Sequence, residues 1–362
     1  MHHGTTRTVT VVAASAAALA ATLVPPASAA TADSGGAFGT PTRITSISSG
    51  WTVPWGIDWL PGGQAALVTE RDSATVYQVT RAGSRSPLGT VPHTVGDGGE
   101  GGLMGVAVDP GHATNKHIYV MHSSTDGNRI ARMTLKGTTL TGYKTLVRGI
   151  KKAVVHNGGR LAFGPDGHLY ASTGDAAEPA LAQDRRSLNG KILRMTTAGK
   201  PAPGNPFRTL VYSVGHRNPQ GLAFDARGRL WSAELGQDRR DELNLIKPGR
   251  NYGWPVCEGS CATPGMTNPK KTWKTAVASP SGIAIAGDAV YMASLRGERL
   301  WQIPLAPKGE GVGVAKSYYK GVYGRFRTVT KVPGRDQLWL TTSNAGVLQP
   351  ARSDRLLRVT LS

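Results

Sequence analysis

His156 lies in the glycine-flanked loop Val155-His156-Asn157-Gly158-Gly159, and Asp175 closes a later Thr173-Gly174-Asp175 run. Between them an alternating segment from Leu161, an Asp166-Gly167 turn and a second alternating segment read as strand, turn, strand. Folded back, that unit brings His156 and Asp175 to the same end of a hairpin. A carboxylate beside an imidazole fixes its tautomer and stabilises its protonated form, which suits a general base working near neutral pH. The plain alternative is one loop histidine among nine, with Asp175 merely ending a strand.

Four other loops carry groups that solvation alone does not explain. Gly96 to Gly105 is glycine-rich and contains Glu100. A dinucleotide fingerprint would need a following helix, but Val106 to Asp109 reads as a strand, so close backbone approach to a ligand fits better. Gly215-His216-Arg217-Asn218-Pro219 sets a cation and an amide before a strand, and Arg217 can fork onto a carboxylate. Glu234 to Ile246, followed by Gly249 to Pro255, offers the oxygen ligands a hard cation prefers, but without the EF-hand spacing. Tyr323-Gly324-Arg325-Phe326-Arg327, joined by Arg296, puts two guanidiniums on one face of an extended segment, where they need an anion or open solvent.

The elements that must position these loops repeat. Pro54 to Arg71, Gly105 to Met121, Leu161 to Ala171, Gly221 to Ala233, Gly282 to Ala293 and Val329 to Thr341 each read as strand, Gly/Asp/Pro turn, strand, the last being the loosest. A further short segment follows each, at 74–79, 130–135, 192–195, 242–246, 299–303 and 355–359. The copies recur at roughly 45–60 residues, the spacing of four-stranded propeller blades. The expected fold is all-β, a six-bladed β-propeller with four-stranded antiparallel blades. A β-sandwich would not need six similar units.

Composition sets the outer limits. Arg7, the apolar run Val9 to Val24 and Ala27-Ser28-Ala29 read as an export signal over residues 1–30. A flexible linker is expected over 31–45 and the propeller over 46–362. The apolar run is short for a membrane span, so the expectation is a secreted protein with no stable span after cleavage. Cys257 and Cys261, the only two cysteines, read as a local disulfide. Without residues 1–30 the chain keeps 41 Lys and Arg against 23 Asp and Glu. No helix-turn-helix, zinc finger or aromatic RNA-binding signature accompanies that charge, so an anionic ligand and contact with an anionic cell envelope are expected rather than nucleic acid. Gly-x-Ser-x-Gly, Ser-x-x-Lys, His-Glu-x-x-His and P-loop patterns are absent, which leaves nucleophilic hydrolysis and zinc peptidase chemistry without support.

At these loops the sequence resembles the soluble glucose/sorbosone dehydrogenases, also called aldose sugar dehydrogenases, which use pyrroloquinoline quinone (PQQ). The resemblance covers about residues 45–360. It rests on Gly-Glu-Gly-Gly-Leu-Met-Gly (99–105), His-Asn-Gly-Gly-Arg-Leu-Ala-Phe-Gly-Pro-Asp-Gly (156–167), Gly-His-Arg-Asn-Pro-Gln-Gly-Leu (215–222), and Asp-Glu-Leu-Asn-Leu-Ile (241–246) with Asn-Tyr-Gly-Trp-Pro (251–255). It implies a six-bladed propeller that oxidises aldoses at the anomeric carbon to lactones and passes electrons to an external acceptor. It implies His156 as general base, oriented by Asp175, with Arg217 stabilising charge on the quinone. Glu100, His156, Arg217, Asn218, Arg296, Arg325 and Arg327 would form the cofactor site. The carbonyls of Gly236 and Gln237 would bind a calcium ion at the quinone, and Glu242 with the Tyr252 carbonyl would bind a second, structural calcium.

The sequence departs from the family at Glu100, where well-known members have glutamine, at Gln237 in place of proline, at Leu235 in place of a polar residue, and at Val277. These departures bear on cofactor affinity more than on fold. They keep open a non-catalytic extracellular carbohydrate- or ligand-binding propeller; a calcium-dependent lactonase-type hydrolase is the other alternative.

Overall fold

The computed structural model describes residues 1–4, 38–96, 98–345 and 353–362. The chain divides into two compact units, Met1–Ser34 and Gly35–Ser362. Apart from residues 1–4, the expected export segment, and with it the linker as far as residue 37, lies outside the described residues.

The second unit is a six-bladed β-propeller of four-stranded antiparallel sheets. Blade one runs from Pro54–Trp59 through Ala65–Glu70 and Thr75–Thr80 to Arg85–Thr90. The inner strands of the other five are Leu103–Val108, Leu161–Phe163, Pro219–Phe224, Pro280–Ala286 and Phe326–Lys331. Each inner strand packs against the inner strands of the two neighbouring blades, which closes the ring around an axial channel. The six third strands fall on the segments expected from the repeat. Helix is confined, among the described residues, to one turn at His112–Asn115 and one 3-10 turn at Pro179–Ala182. None is long and apolar enough to cross a membrane.

The hairpin turns explain why these segments become strands. In blade three Gly164 and Gly167 close the turn by backbone hydrogen bonds, Asp166 accepts from the His168 N–H, and Gly167 takes φ +72°. That backbone conformation favours glycine. A blade alone leaves both sheet faces in water. The six apolar clusters correct this, one in each interface between adjacent blades. Leu67 meets Val106, Tyr119 meets Leu193, Ile192 meets Leu230, Trp231 meets Val290, Tyr291 meets Leu338, and Trp339 meets Val68 within shared clusters. Each blade's burial therefore depends on its neighbours, and all six close together.

The linker expected over 31–45 is corrected at its end. Pro41–Trp51 is a strand that pairs antiparallel with Asp354–Leu361 and completes blade six, so the propeller begins at Pro41. The Gly, Ser and Thr content conceals this strand because backbone pairing with the last strand holds it, not continuous side-chain burial. Its anchor is Trp51, 1 % exposed, edge-on to Tyr77 at 5.1 Å and under the Arg85 guanidinium at 4.4 Å. Trp51→Ala is expected to cost about 3–5 kcal/mol, as for other buried large aromatics, read as a lower urea midpoint with an unchanged slope. Cys257 and Cys261 form the expected disulfide.

Candidate active site

In an antiparallel pair, the start of one strand and the end of its partner lie side by side. The loops that open inner strands and the loops that follow second strands therefore meet at one end of the propeller. Glu100, His156, Arg217 with Asn218, and Arg325 stand just before inner strands of blades two, three, four and six. Asp175, Leu235 with Gly236, and Arg296 follow second strands of blades three, four and five. The fold thus gathers loops that the sequence separates by more than two hundred residues.

His156 Nδ1 lies 2.8 Å from Asp175 Oδ1. The Asp175 carboxylate is fully buried, and it also accepts from the Ala177 N–H at 2.9 Å and from Trp254 Nε1 at 2.8 Å. Three donors therefore fix one carboxylate, and that carboxylate fixes the ring. With Nδ1 engaged and 15 % of the side chain exposed, Nε2 is the nitrogen left for a reactant. His156 takes φ +60°, a left-handed conformation in which histidine is enriched over most side chains. Gly174 makes the loop possible, because a Cβ there would sit 1.8 Å from the His156 carbonyl oxygen.

A second histidine–carboxylate pair serves as contrast. His216 Nδ1 lies 2.9 Å from Glu234 Oε2, its Nε2 contacts Ser213 Oγ at 2.8 Å, and its ring stacks on Tyr252 at 4.8 Å. This ring is 0 % exposed and both nitrogens are taken. It braces the loop that carries Arg217, while His156 faces the open end.

Glu100 links the parts. Its Oε2 accepts from the His156 N–H at 2.9 Å and from Asn218 Nδ2 at 3.2 Å, and Asn218 Oδ1 accepts from the Gly158 N–H at 3.0 Å. Beside it is a cavity of about 400 Å³ lined by Glu100, Arg71, Arg296, Arg325, Arg327 and Leu235 among others. Only Arg71 of these arginines has an ion-pair partner among the described residues, Asp72 at 2.6 Å. Arg327 bonds instead to Ser343 Oγ at 3.0 Å and Gln220 Oε1 at 3.3 Å. Burial, with the charges of Arg71 and Arg325 adding to it, pulls the Arg327 guanidinium down to about 9, and burial lowers Arg325 as well. Converging cations with too few anions give this cavity the electrostatics to take an anion.

Arg217, on blade four, lines a separate small pocket with Glu234, Gly236 and Trp254. Its N–H donates to Glu234 Oε1, its Nη1 donates to the Gly236 carbonyl at 2.7 Å, and its guanidinium stands 5.4 Å from the Trp254 ring centroid. Its Nε is buried without a hydrogen-bond partner among the described residues. Burial lowers its pKa, partly offset by Asp175, Glu234, Glu258 and Glu100.

Of the predicted metal positions, Gln237 is exposed and lines no described cavity, and the Gly236 carbonyl is held by Arg217. Glu242 and Tyr252 do meet, in a small pocket with Glu234, Glu258 and Cys257. Burial, then the nearby Glu234 charge, raise the Glu242 carboxyl to about 8. Among the described residues no three His, Cys, Asp or Glu side chains form a metal-holding group.

Sequence reasoning misses Arg71, Ser343 and Asn344 as site residues, and it places Glu234 in a metal-ligand loop and Trp254 in a family motif without giving either the contacts it makes here. Glu234 ends the second strand of blade four, close to the blade position that Asp175 takes in blade three, so aligning the repeats would find it. Trp254 offers no such signal: its partner is 79 positions away in another blade.

A sequence model of the glucose/sorbosone dehydrogenase family matches residues 51–349. The structure is similar to that of the PQQ-bound form of an aldose sugar dehydrogenase from Streptomyces coelicolor, with TM-score 0.85 and 47 % identity over 90 % of this chain and 98 % of that one. The sequence is 33 % identical to aldose sugar dehydrogenase YliI of Escherichia coli over 56 % of this chain and 59 % of that protein. It is 34 % identical to quinoprotein glucose dehydrogenase B of Acinetobacter calcoaceticus over 59 % of this chain and 52 % of that protein. The matches thus span little more than half the length of these two relatives.

Proposed function

Since the chain belongs to the glucose/sorbosone dehydrogenase family, we propose that it is a PQQ-dependent sugar oxidoreductase that oxidises an aldose at the anomeric carbon to the lactone, with His156 as general base. The observation that carries this reading is the His156–Asp175 pair, open at Nε2, beside a cavity lined by four arginines.

The residues fit the cofactor at the cavity: a planar tricarboxylate supplies the anions that Arg296, Arg325 and Arg327 lack. When bound, the quinone supplies the acceptor for the hydride from the sugar. His156 Nε2 takes the anomeric hydroxyl proton, and Asp175 stabilises the imidazolium that results. Arg217 offsets negative charge developing beside it. Asn218 and Glu100 hold the His156 loop in register through Gly158 and the His156 N–H.

Calcium fits unevenly. The Gly236 carbonyl carries a guanidinium and Gln237 faces solvent, so no step is derived through a metal there. The second position fits better: Asn244 Oδ1 is buried without a partner among the described residues, its Nδ2 donates to Glu242 Oε2 at 2.9 Å, and burial with the nearby Glu234 charge disfavours the ionised form of Glu242. A hard cation held by Glu242, Asn244 and the Tyr252 carbonyl would satisfy both groups.

Export, an external electron acceptor and contact with an anionic envelope complete the proposal, on the strength of the 1–30 segment and the basic surplus. The test is reconstitution with PQQ and calcium, followed by a panel of aldoses with an artificial dye. Sugar-dependent dye reduction is expected. Lactone hydrolysis without the quinone would favour a hydrolase, and a protein that does not take up quinone would favour a binding propeller.

A further inference from the structure

Arg160 lies outside the upper cavity. It lines the axial chamber of about 590 Å³ that the inner strands enclose, and it is 7 % exposed. Its guanidinium stacks on Trp55 at 4.2 Å, and that of Arg327 lies 5.9 Å from the same ring. Gln220 joins the two: its carbonyl accepts from Arg160 Nε at 2.7 Å, and its Oε1 accepts from Arg327 Nη1. The remaining contact of Arg160 is also neutral, Thr328 Oγ1 at 3.0 Å. Neither arginine forms an ion pair among the described residues. Burial, then the charge of Arg327, pull Arg160 down to about 9, with no carboxylate acting the other way. A stacked indole recovers only part of the cost of burying a cation. Two adjacent buried cations are therefore a standing liability of the ligand-free protein, offset only in part by the charges of Glu100 and Asp354 on Arg327, and an anion arriving beside Arg327 relieves it further.

We propose that Arg160 and Arg327 form a buried dication around Trp55 that is completed by the anionic cofactor, so that Arg160 strengthens binding of a polycarboxylate it does not touch. The inference rests on the PQQ reading above. A purely structural role for Arg160 predicts that removing it loosens the channel wall and lowers stability. The dication predicts the opposite sign: the ligand-free protein is relieved, and only the complex is weakened.

The test uses the full chain and three proteins: wild type, Arg160→Met and Arg160→Lys. Each is titrated with PQQ in calcium by absorbance and melted with and without the quinone. Arg160→Met is expected to bind about tenfold more weakly, ~1.4 kcal/mol. Its ligand-free Tm should equal or exceed that of the wild type, and its quinone-induced Tm rise should shrink. Arg160→Lys, which keeps the charge, should bind within about threefold of wild type. Unchanged affinity in Arg160→Met overturns the proposal, as does a lower ligand-free Tm or a failure to fold. Wild-type protein that takes up no quinone overturns the cofactor reading and this inference together, whereas equal binding by wild type and Arg160→Met overturns this inference alone.

Discussion

His156→Ala is expected to lower kcat about 10²–10⁴-fold, the range for loss of a positioned general base, while quinone affinity changes only a few-fold. The asymmetry follows from the geometry. The imidazole is held through Nδ1 by a carboxylate that three donors immobilise, so removing the ring deletes a proton acceptor of fixed direction. The anion cavity keeps all its arginines, because none of them bonds to the His156 ring. The backbone N–H of residue 156 still reaches Glu100, so the loop should keep its course. The measurement is stopped-flow quinone reduction by an aldose, beside an absorbance titration of binding. Equal losses in rate and affinity would show the histidine to be a cofactor ligand alone. An undiminished rate would remove it from the chemistry, leaving the paired but buried His216 no better placed.

The second large effect concerns pH. In chelator, stability is expected to fall between about pH 5 and 8 by on the order of 3–5 kcal/mol, and added calcium should flatten that slope. The Glu242 carboxyl rises from 4.5 to about 8 through burial and then the Glu234 charge. A folded pKa above the unfolded one means the native state binds the proton more tightly. Its contribution is thus fully present below about 4.5 and is lost as pH climbs through 8. A cation beside Glu242 favours the ionised form and removes the difference. Asp58 and Asp241, both raised to about 6 chiefly by burial, slope the same way but over a lower range. Glu242→Gln isolates the effect, since it should flatten the upper part of the slope without calcium. Urea unfolding at a series of pH values, with calcium and with chelator, reads all of this. Parallel curves with and without calcium would remove the metal from this pocket.

Much of the fold is legible in the sequence because its signal is local and repeated. A Gly/Asp/Pro turn between two alternating segments needs only neighbouring residues, and six such units leave few ways to bury their faces. The first strand, Pro41–Trp51, is not legible in this way, since its partner lies at the far end of the chain. The site divides along the same line. His156 and Asp175 flank one hairpin, so their meeting follows from that hairpin alone. Trp254 reaches Asp175, and Arg160 shares Trp55 with Arg327, only after the blades close into a ring. The Arg217 bond to the Gly236 carbonyl occupies the oxygen that the resemblance assigns to a metal ion, which residue types and spacing do not express.

Blade six joins the propeller's first described strand to its last, and the Thr40 and Ser362 backbones exchange two hydrogen bonds beside that seam. During synthesis the opening strand waits without a partner until nearly the whole propeller has been made. The other five blades bury apolar faces earlier, yet the ring stays open until that seam zips. Closing so long a loop costs little more than closing one half its length, because the penalty grows with the logarithm of length. Delay, not free energy, is what the arrangement imposes: a growing propeller of this design is an open spiral whose two seam faces stay uncovered, vulnerable to proteases and to its neighbours until the strand Asp354–Leu361 has been made.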